Sequence, residues 1–378
     1  MKFDNHKKIG ILGGGQLGRM LIQAAIDFDF KIKILDPDAD APCRFLAHEF
    51  VQGSLKNYET IMQFAQDCDY ITIEIENVNI DALEDLERMG KKVFPQPSVL
   101  RIIQDKRIQK EFYKENNLPT AEFLLTENRE DVRKNLQFLP AVHKLGKEGY
   151  DGKGVQILRS EKDLEKAFDK PSLLEKLVDF EKEIAVIVAR NEAGEMKTFP
   201  TVEMVFHPEA NLVEYLFSPA KISQSIDNQA ITLAKQVAEK LKIVGILAVE
   251  MFVLKDGSLL INEVAPRPHN SGHHTIRAND VSQFEQHFRA ILGLPVGETL
   301  AHSAAAMVNL LGEEGYEGEA KYEGMDEVLK VAGIHPFLYG KRLTKPFRKM
   351  GHVTIIAEDF EKLKEKVNFV LEKLRVRS

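Results

Sequence analysis

Apolar residues near the N-terminus form short compact runs separated by a stretch with helical spacing. Two such runs joined through a helix are typical of a βαβ unit, in which the strands lie parallel. Further along, residues 70–76 alternate apolar and polar side chains, as a half-buried strand does. Pro95 and Pro97 then interrupt the pattern. The predicted elements of this region are strands at 8–12, 31–35, 70–76 and 92–94 and a helix at 16–28.

A different pattern begins after these prolines. Ser98 is a suitable N-cap for a helix from about Val99, which must end near Asn117 because Pro119 follows. From Pro140 onwards, short apolar runs connected by glycine-rich turns predict strands with antiparallel pairing. These strands are expected at 141–145, 155–158, 173–178, 183–188 and within 245–264, followed in a smaller tail by strands at 307–311 and 351–357 and a helix from Asp359. We therefore predict a multidomain protein of α/β and α+β class, divided at 1–105, 106–295 and 296–378.

The composition of the chain limits the kinds of molecule that the protein is expected to bind. The chain has 378 residues, 44% hydrophobic and 29% charged, which is too long for a single core. Its net charge of -7 leaves no basic surplus for a nucleic acid, so small-molecule substrates are expected. The two cysteines have no disulfide or zinc spacing, and no stretch approaches 18 uninterrupted apolar residues. The expectation is a cytoplasmic protein that binds neither nucleic acid nor membrane.

Residues 13–18 match G-x-G-x-x-G between the first strand and the first helix, and Asp36 follows the second strand. Taken alone, this arrangement favours a dinucleotide such as NAD, with Asp36 on the ribose. Glycines beside a helix N-terminus suit any phosphorylated ligand, however, and a tight turn without a ligand is a further interpretation.

A second glycine-rich loop, residues 149–154, follows Lys144 and leads into the strand at Val155. Such a loop between strands can lay backbone N–H groups over a polyphosphate, with Lys144 and Lys153 supplying positive charge. It is not a Walker A loop, because no Gly-Lys-Ser/Thr opens a helix. An exposed hairpin with turn glycines is the alternative.

Two glutamates are predicted to face each other across a hairpin. With Asp256 and Gly257 as a two-residue loop, counting outward puts Glu250 opposite Glu263. Like charges opposed across a ladder repel, so Mg²⁺ is a natural partner, and Asn262 adds a neutral oxygen. The alternative is a pair of solvated glutamates on an edge hairpin, which the apolar runs on both strands disfavour.

Taken together, these features resemble the ATP-grasp superfamily. More closely, the whole chain resembles the N5-carboxyaminoimidazole ribonucleotide synthetase family. The resemblance rests on residues 13–18, 74–78, 149–154, 262–272 and 348–352, in that order. It implies an ATP-grasp fold with a Rossmann-like N-terminal domain, a small C-terminal domain that completes the substrate site, and a homodimer.

The resemblance also implies a reaction. The family converts 5-aminoimidazole ribonucleotide, ATP and bicarbonate into the N5-carbamate, ADP and phosphate in purine synthesis. Bicarbonate would be phosphorylated to carboxyphosphate, and the ribonucleotide amine would attack it or the CO₂ it releases. ATP and Mg²⁺ are the implied cofactors.

Roles follow for individual positions, again by resemblance. The implied catalytic residues are Arg267, Tyr150 and Asp151, and the metal ligands are Glu250 and Glu263. ATP would contact Lys106, Lys144, Gly149, Tyr150, Asp151, Gly152, Lys153, Gly154, Val155, Glu175, Lys176, Leu177, Val178, Glu183, His207, Asn262 and Glu263. The ribonucleotide and bicarbonate would contact Gln16, Leu17, Glu74, His269, Asn270, Lys341, Arg348 and Lys349.

Three positions depart from the family pattern. Lys106 stands where arginine is usual and lacks its bidentate fork. Glu148 replaces a glycine before Gly149, and the run that ends at His207 is altered.

Other functions remain open. Formate-dependent glycinamide ribonucleotide transformylase is the nearest rival, although Tyr150 and Asp151 replace the serines of its loop. An NAD-dependent dehydrogenase would leave the opposed glutamates without a purpose. A non-catalytic ATP-binding module would not need both a metal site and a ribonucleotide pocket.

Overall fold

The computed structural model describes residues 3–147, 149, 154–207 and 212–378. Its N-terminal part is a five-stranded parallel sheet in the order β3-β2-β1-β4-β5. The elements are β1 (Lys8–Leu12), α1 (Gln16–Ile26), β2 (Lys31–Asp36), β3 (Glu49–Gln52), α2 (Tyr58–Phe64), β4 (Tyr70–Ile73), α3 (Ile80–Arg88) and β5 (Lys92–Val93). The predicted parallel sheet is confirmed. The prediction of a strand through residue 76 is wrong, because β4 leaves the sheet after Ile73.

The predicted single helix from Val99 to Asn117 is also wrong. Two helices replace it, α4 (Pro97–Ile103) and α5 (Lys106–Glu115). Pro97 opens α4, where a proline loses no helical hydrogen bond, so Ser98 lies within the helix and is not its cap. The carboxylate of Asp105 accepts from the Arg107 N–H and caps α5. Lys106 therefore sits in the first turn of a new helix.

A small antiparallel sheet follows, in the order β6-β9-β7-β8. Its elements are β6 (Phe123–Thr126), α6 (Arg129–Lys134), β7 (Ala141–Leu145), β8 (Val155–Leu158) and β9 (Ser172–Lys176). The predicted strands of this region are confirmed to within two residues at each end.

The remaining strands build one large sheet and two small two-stranded sheets. The elements of this region begin with β10 (Phe180–Arg190), β11 (Met196–Thr198), β12 (Val202–Phe206), β13 (Val213–Ser218), α7 (Gln224–Leu241), β14 (Gly245–Leu254), β15 (Leu259–Ala265), α8 (Thr275–Ala278), α9 (Gln283–Ile291) and β16 (Ala304–Leu311). They end with β17 (Gly318–Glu319), β18 (Lys321–Glu323), α10 (Met325–Val328), β19 (Ile334–Leu338), β20 (Leu343–Thr344), β21 (Lys349–Ala357), α11 (Phe360–Lys373) and β22 (Arg375–Arg377).

The large sheet has nine strands. Eight run in the order β15-β14-β10-β12-β13-β16-β21-β19, and β11 pairs with β10. All of its pairings are antiparallel, and β13 joins β16 with Tyr215 opposite Val308. The central and C-terminal regions therefore share one sheet. Helix α7, absent from the sequence-based predictions, buries Ala234 and Val237 against Ile184 and Val249 of this sheet.

No helix in the described ranges has the length and apolar character needed to cross a bilayer.

Candidate active site

The hairpin of β14 and β15 places Glu250 directly opposite Glu263, which confirms the predicted pairing. The predicted two-residue loop is nevertheless wrong. Leu254 N–H donates to the Ser258 carbonyl over 2.9 Å, and Gly257 adopts a φ of +82°, so the turn contains one more residue. A bulge at Asn262 restores the register between Glu250 and Met251. The longer turn shifts the register by one residue, and the bulge shifts it back, so Glu250 still lies opposite Glu263. The bulge also brings the side chains of Asn262 and Glu263 to the same site.

The two glutamates have different electrostatic surroundings. Lys106 Nζ lies 2.6 Å from Glu263 Oε2, and this ammonium holds the pKa of Glu263 below its ordinary value. Burial raises the pKa of Glu250 well above its ordinary value, and the charge of Glu263 adds to the effect. His269 Nε2 lies 3.3 Å from Glu250 Oε1. The pair therefore carries less than two full negative charges in this state.

The donor set fits a divalent cation that arrives with a nucleotide. Glu250, Glu263 and Asn262 offer hard oxygen ligands within one hairpin. Among the described residues, no group of three or more His, Cys, Asp and Glu side chains forms a complete metal site. Mg²⁺ commonly takes one or two carboxylates and completes its shell with phosphate oxygens and water, so two carboxylates suffice here.

A buried chain of charges connects the small sheet to the large one. Glu175 on β9 forms ion pairs with Lys110 and, at 2.5 Å, with Lys144. Lys144 also donates to Asn262 Oδ1 at 3.2 Å, and Asn262 Nδ2 donates to Glu183 Oε1 at 3.1 Å. Burial raises the pKa of Glu183. Five predicted or newly found site residues on five different elements thus form one network.

Lys110 is the member of this network that the sequence analysis missed. It lies one helical turn after Lys106 on α5 and is 2% exposed. Burial lowers its pKa to about 8, although Glu175 opposes the shift. The i, i+4 spacing of two lysines opposite an acidic hairpin was the available signal.

The segment 175–178, predicted to meet adenine, lies at the end of β9. Lys176 N–H donates to the Glu122 carbonyl at 2.9 Å, and Leu177 N–H donates to the Pro140 carbonyl at 3.2 Å. Either amide would have to exchange its partner to bind a base. Val178 follows them directly where the chain leaves the strand.

The glycine-rich loop is only partly described. Gly154 adopts a φ of +74°, its carbonyl accepts from Leu145 N–H at 2.9 Å, and Val155 opens β8 beside Lys144. A Cβ at Gly154 would lie 3.1 Å from Gly149 Cα. The predictions for Glu148, Tyr150, Asp151, Gly152 and Lys153 lie outside the described residues.

The segment after β15 carries three more predicted residues, of which His269 lies beside Glu250. Arg267 Nε lies 2.8 Å from Glu76 Oε1, which ties the segment to the N-terminal domain. His269 faces Glu250, as described above. Asn270 is 9% exposed, and neither polar atom of its side chain has a hydrogen-bond partner among the described residues. A buried amide in this state is suited to a polar ligand.

The glycine motif at residues 13–18 does not present open donors. Gly14 N–H donates to Asp36 at 2.6 Å, while Gly15 and Gly18 N–H donate to the two oxygens of Glu74 at 2.7 and 2.6 Å. These are the groups that would hold a dinucleotide pyrophosphate. The protein's own carboxylates satisfy them, and this observation disfavours the NAD interpretation.

The basic side chains of the C-terminal part separate into two groups. Lys341 Nζ donates to Gln16 Oε1 at 2.8 Å and to the Lys349 carbonyl at 2.7 Å, next to buried Leu17. The charge of Lys349 reaches Glu250 and lowers its pKa against the larger effect of burial. The half-buried Arg348 instead donates to the Leu343 carbonyl at 2.8 Å.

His207 lies apart from the network. Its ring packs edge-on against Phe347 at 5.5 Å, and it lines a cavity of about 400 Å³ between β13, β16 and α11. None of the other predicted site residues lines that cavity.

Comparison with known proteins identifies the family. Residues 6–104 match the ribonucleotide synthetase preATP-grasp domain, residues 111–284 the ATP-grasp domain, and residues 305–366 the phosphoribosylaminoimidazole carboxylase C-terminal domain. The N5-carboxyaminoimidazole ribonucleotide synthase of Bacillus subtilis (strain 168) is 39% identical over 357 residues, which cover 93% of this chain and 91% of that protein. The chain belongs to this synthase family. The predicted ATP-grasp fold is thereby confirmed.

Solved structures of this synthase family share the entire fold. The crystal structure of the Thermotoga maritima synthetase is 43% identical, has a TM-score of 0.91 and covers 98% of this chain and 99% of that one. The Aspergillus clavatus synthase, solved in complex with ADP and 5-aminoimidazole ribonucleotide, is 32% identical with a TM-score of 0.88 and covers 97% and 98% of the two chains.

Other relatives are longer. The chain spans 66% of the length of the chloroplastic phosphoribosylaminoimidazole carboxylase of Vigna aconitifolia, to which it is 37% identical over 375 residues, 96% of this chain.

Proposed function

We propose that this protein carboxylates 5-aminoimidazole ribonucleotide to N5-carboxyaminoimidazole ribonucleotide, consuming ATP and bicarbonate and releasing ADP and phosphate, in purine biosynthesis. The observation that carries the proposal is the contact between His269 and Glu250, 3.3 Å apart. It joins the pair of Glu250 and Glu263 to the segment that holds Arg267 and Asn270. The similarity in sequence and structure to synthases of this family, including one crystallised with ADP and the ribonucleotide, supports the same conclusion.

ATP binds between the small sheet and the large one in this proposal. Lys106 and Lys144 meet the phosphates, and Glu183 meets the ribose. Glu250 and Glu263 hold Mg²⁺, which when bound neutralises charge on the phosphate oxygens. Binding requires Lys144 to exchange Glu175 or Asn262 for a phosphate oxygen. Because the lysine is already desolvated and charged in place, little reorganisation accompanies that exchange.

The second substrate and bicarbonate occupy the other side of the glutamate pair. Gln16, Glu74, Lys341 and Lys349 surround the ribonucleotide, and Asn270 gains the hydrogen bonds that it lacks among the described residues. Arg267 and His269 hold bicarbonate against the nucleotide. The roles of Tyr150, Asp151 and Lys153 stay predictions, as do those of Leu17, Arg348 and His207.

The reaction consists of two transfers. A bicarbonate oxygen attacks the γ-phosphorus, the bond to the β-phosphate oxygen breaks, and ADP leaves. The exocyclic amine of the ribonucleotide then forms a C–N bond with the carboxyl carbon, phosphate departs, and the amine loses a proton. The residues around both transfers supply positioning and charge neutralisation.

One assay tests the function. Phosphate release from ATP and incorporation of ¹⁴C-bicarbonate would be measured with and without 5-aminoimidazole ribonucleotide. We expect both to rise together. Stimulation by glycinamide ribonucleotide and formate instead would show the transformylase activity, and stimulation by neither would refute the proposal.

We also propose that the enzyme is a cytoplasmic homodimer with domains at 1–105, 106–295 and 296–378. Sedimentation equilibrium at micromolar concentration would detect the dimer, and a monomer throughout would contradict it.

A further inference from the structure

Gln283, the first residue of α9, is completely buried beneath the segment that carries His269. Its side-chain amide makes a paired contact with the main chain of that histidine. His269 N–H donates to Gln283 Oε1 at 2.8 Å, and Gln283 Nε2 donates to the His269 carbonyl at 2.7 Å. Two opposed hydrogen bonds fix both the position and the orientation of one peptide segment.

The surroundings hold this amide in place. Gln283 N–H donates to Thr275 Oγ1 at 3.0 Å, and Gln283 Nε2 lies 3.3 Å from His273 Nδ1. A Cβ on Gly272 would come within 2.5 Å of Gln283 Oε1 and 2.4 Å of Ile187 Cδ1. The glycine therefore leaves room for the amide, and the packing permits little displacement of it.

The main chain that Gln283 holds determines where the imidazole of His269 lies. Ser271 N–H donates to His269 Nδ1 at 3.3 Å, so in the neutral ring the proton is on Nε2. Nε2 points to Glu250 at 3.3 Å. A shift of the backbone at residue 269 would carry the ring away from the glutamate pair.

We infer that Gln283 is a positioning residue for the carboxylation: through its two hydrogen bonds to the main chain, it holds His269 at the glutamate pair. This inference rests on the proposed function. Gln283 does not reach the substrates, and its contribution passes through His269.

The same helix contains a matched control. Gln286 is also completely buried and makes the same paired contact with a different loop. Gln286 Nε2 donates to the Gly297 carbonyl at 2.7 Å, and Gly297 N–H donates to Gln286 Oε1 at 2.9 Å. Its loss has a similar structural cost and leaves His269 in place.

The experiment compares Gln283→Met with Gln286→Met, which remove the two amides at nearly constant volume. Melting temperatures establish that both variants are folded at the assay temperature. We expect Gln283→Met to lower kcat roughly tenfold to a hundredfold, as misplacement of a reactive group does. Its KM for 5-aminoimidazole ribonucleotide should rise, while its KM for ATP stays within about twofold of wild type. Gln286→Met should keep kcat within about threefold.

A double substitution tests the route through His269. Once His269→Ala has removed the imidazole, adding Gln283→Met should change kcat by less than about twofold, whereas adding Gln286→Met should have its single-variant effect. Additive losses for Gln283→Met, or equal losses in the two single variants, would overturn the inference. If Gln283→Met melts below the assay temperature, Gln283→Glu and Gln286→Glu replace the pair with the same expected order. A wild-type enzyme without carboxylation activity would instead refute the proposed function.

Discussion

Lys106 Nζ lies 2.6 Å from Glu263 Oε2, although the two residues are 157 positions apart. The contact fastens the first turn of α5 to β15. The Lys106 ammonium therefore contacts the carboxylate at which the metal ion of a bound nucleotide is proposed to lie. This ammonium keeps Glu263 ionised without a bound ligand.

Removal of the Lys106 ammonium should impair ATP binding more than it lowers the stability of the fold. In Lys106→Met, Glu263 and Glu250 face each other without the ammonium, and we expect the KM for ATP to rise roughly tenfold or more. Lys106→Arg keeps the positive charge and should keep most of the activity. Lys114→Met, on the exposed face of the same helix, is the control. Steady-state kinetics at varied ATP check these expectations, and equal behaviour of Lys106→Met and Lys114→Met would contradict them.

Glu263→Gln should abolish turnover and leave the fold intact. The amide keeps the size of the side chain but loses the charge that the proposed Mg²⁺ requires, so kcat should fall by roughly a hundredfold or more. The melting temperature should change by only a few degrees. Asp256→Asn, at the exposed turn of the same hairpin, should be fully active. Near-normal ADP production by Glu263→Gln would show that the metal site is elsewhere.

Glu74→Gln should destabilise the N-terminal domain. The carboxylate accepts from Gly15 and Gly18 at the N-terminus of α1, and an amide can satisfy only one of these donors with its oxygen. We expect the free energy of unfolding to fall by about 1–3 kcal/mol, measured by urea denaturation. Glu59→Gln, at an exposed position in the first turn of α2, provides the comparison. A loss no larger than that of Glu59→Gln would contradict the role of this carboxylate.

Glu175 should make stability depend on acidic pH. Burial opposes its ionisation, but the ammonium groups of Lys144 and Lys110 hold its pKa at about 2. The unfolded chain binds this proton more readily, near the ordinary pKa of about 4.3. The carboxylate therefore stabilises the fold above that value, and the stabilisation is lost as the pH falls towards 2.

The test compares wild type with Glu175→Gln. Between about pH 5 and pH 2.5, the free energy of unfolding of the wild type should fall by roughly 2–3 kcal/mol more than that of the variant. The exposed Glu181→Gln should follow the wild-type curve. Parallel curves for wild type and Glu175→Gln would show that the ion pairs do not shift this titration.

The sequence predicted elements whose signals are local. Apolar runs located β1, β2, β7 and β8, because a compact run bounded by turns describes a buried strand well. The boundary between α4 and α5 at residues 104–105 was missed because Ser98 resembled the N-cap of one long helix. Ser98 lies between the two actual helix starts, at Pro97 and Asp105. Helix α7 was missed although its buried residues follow helical spacing, at Ala230, Leu233, Ala234, Val237, Ala238 and Leu241.

The contacts within the candidate site were less predictable from the sequence than the strands were. The opposition of Glu250 and Glu263 followed from hairpin counting only because the longer turn and the bulge at Asn262 cancel. The ion pair between Lys110 and Glu175 joins residues that no local pattern connects, and the use of Glu74 to fill the glycine motif depends on where β4 ends. Contacts of this kind are set by tertiary packing.

The union of β13 with β16 limits how the protein can be divided. A chain cut after residue 295 would lose β16 and leave the N–H and C=O groups of β13 along an open edge. Open edges invite pairing with other chains, so such a fragment should aggregate even though it retains the whole ATP-grasp sequence match. The C-terminal segment thus covers the edge of β13 in the large sheet, and it also contains Lys341 and Lys349.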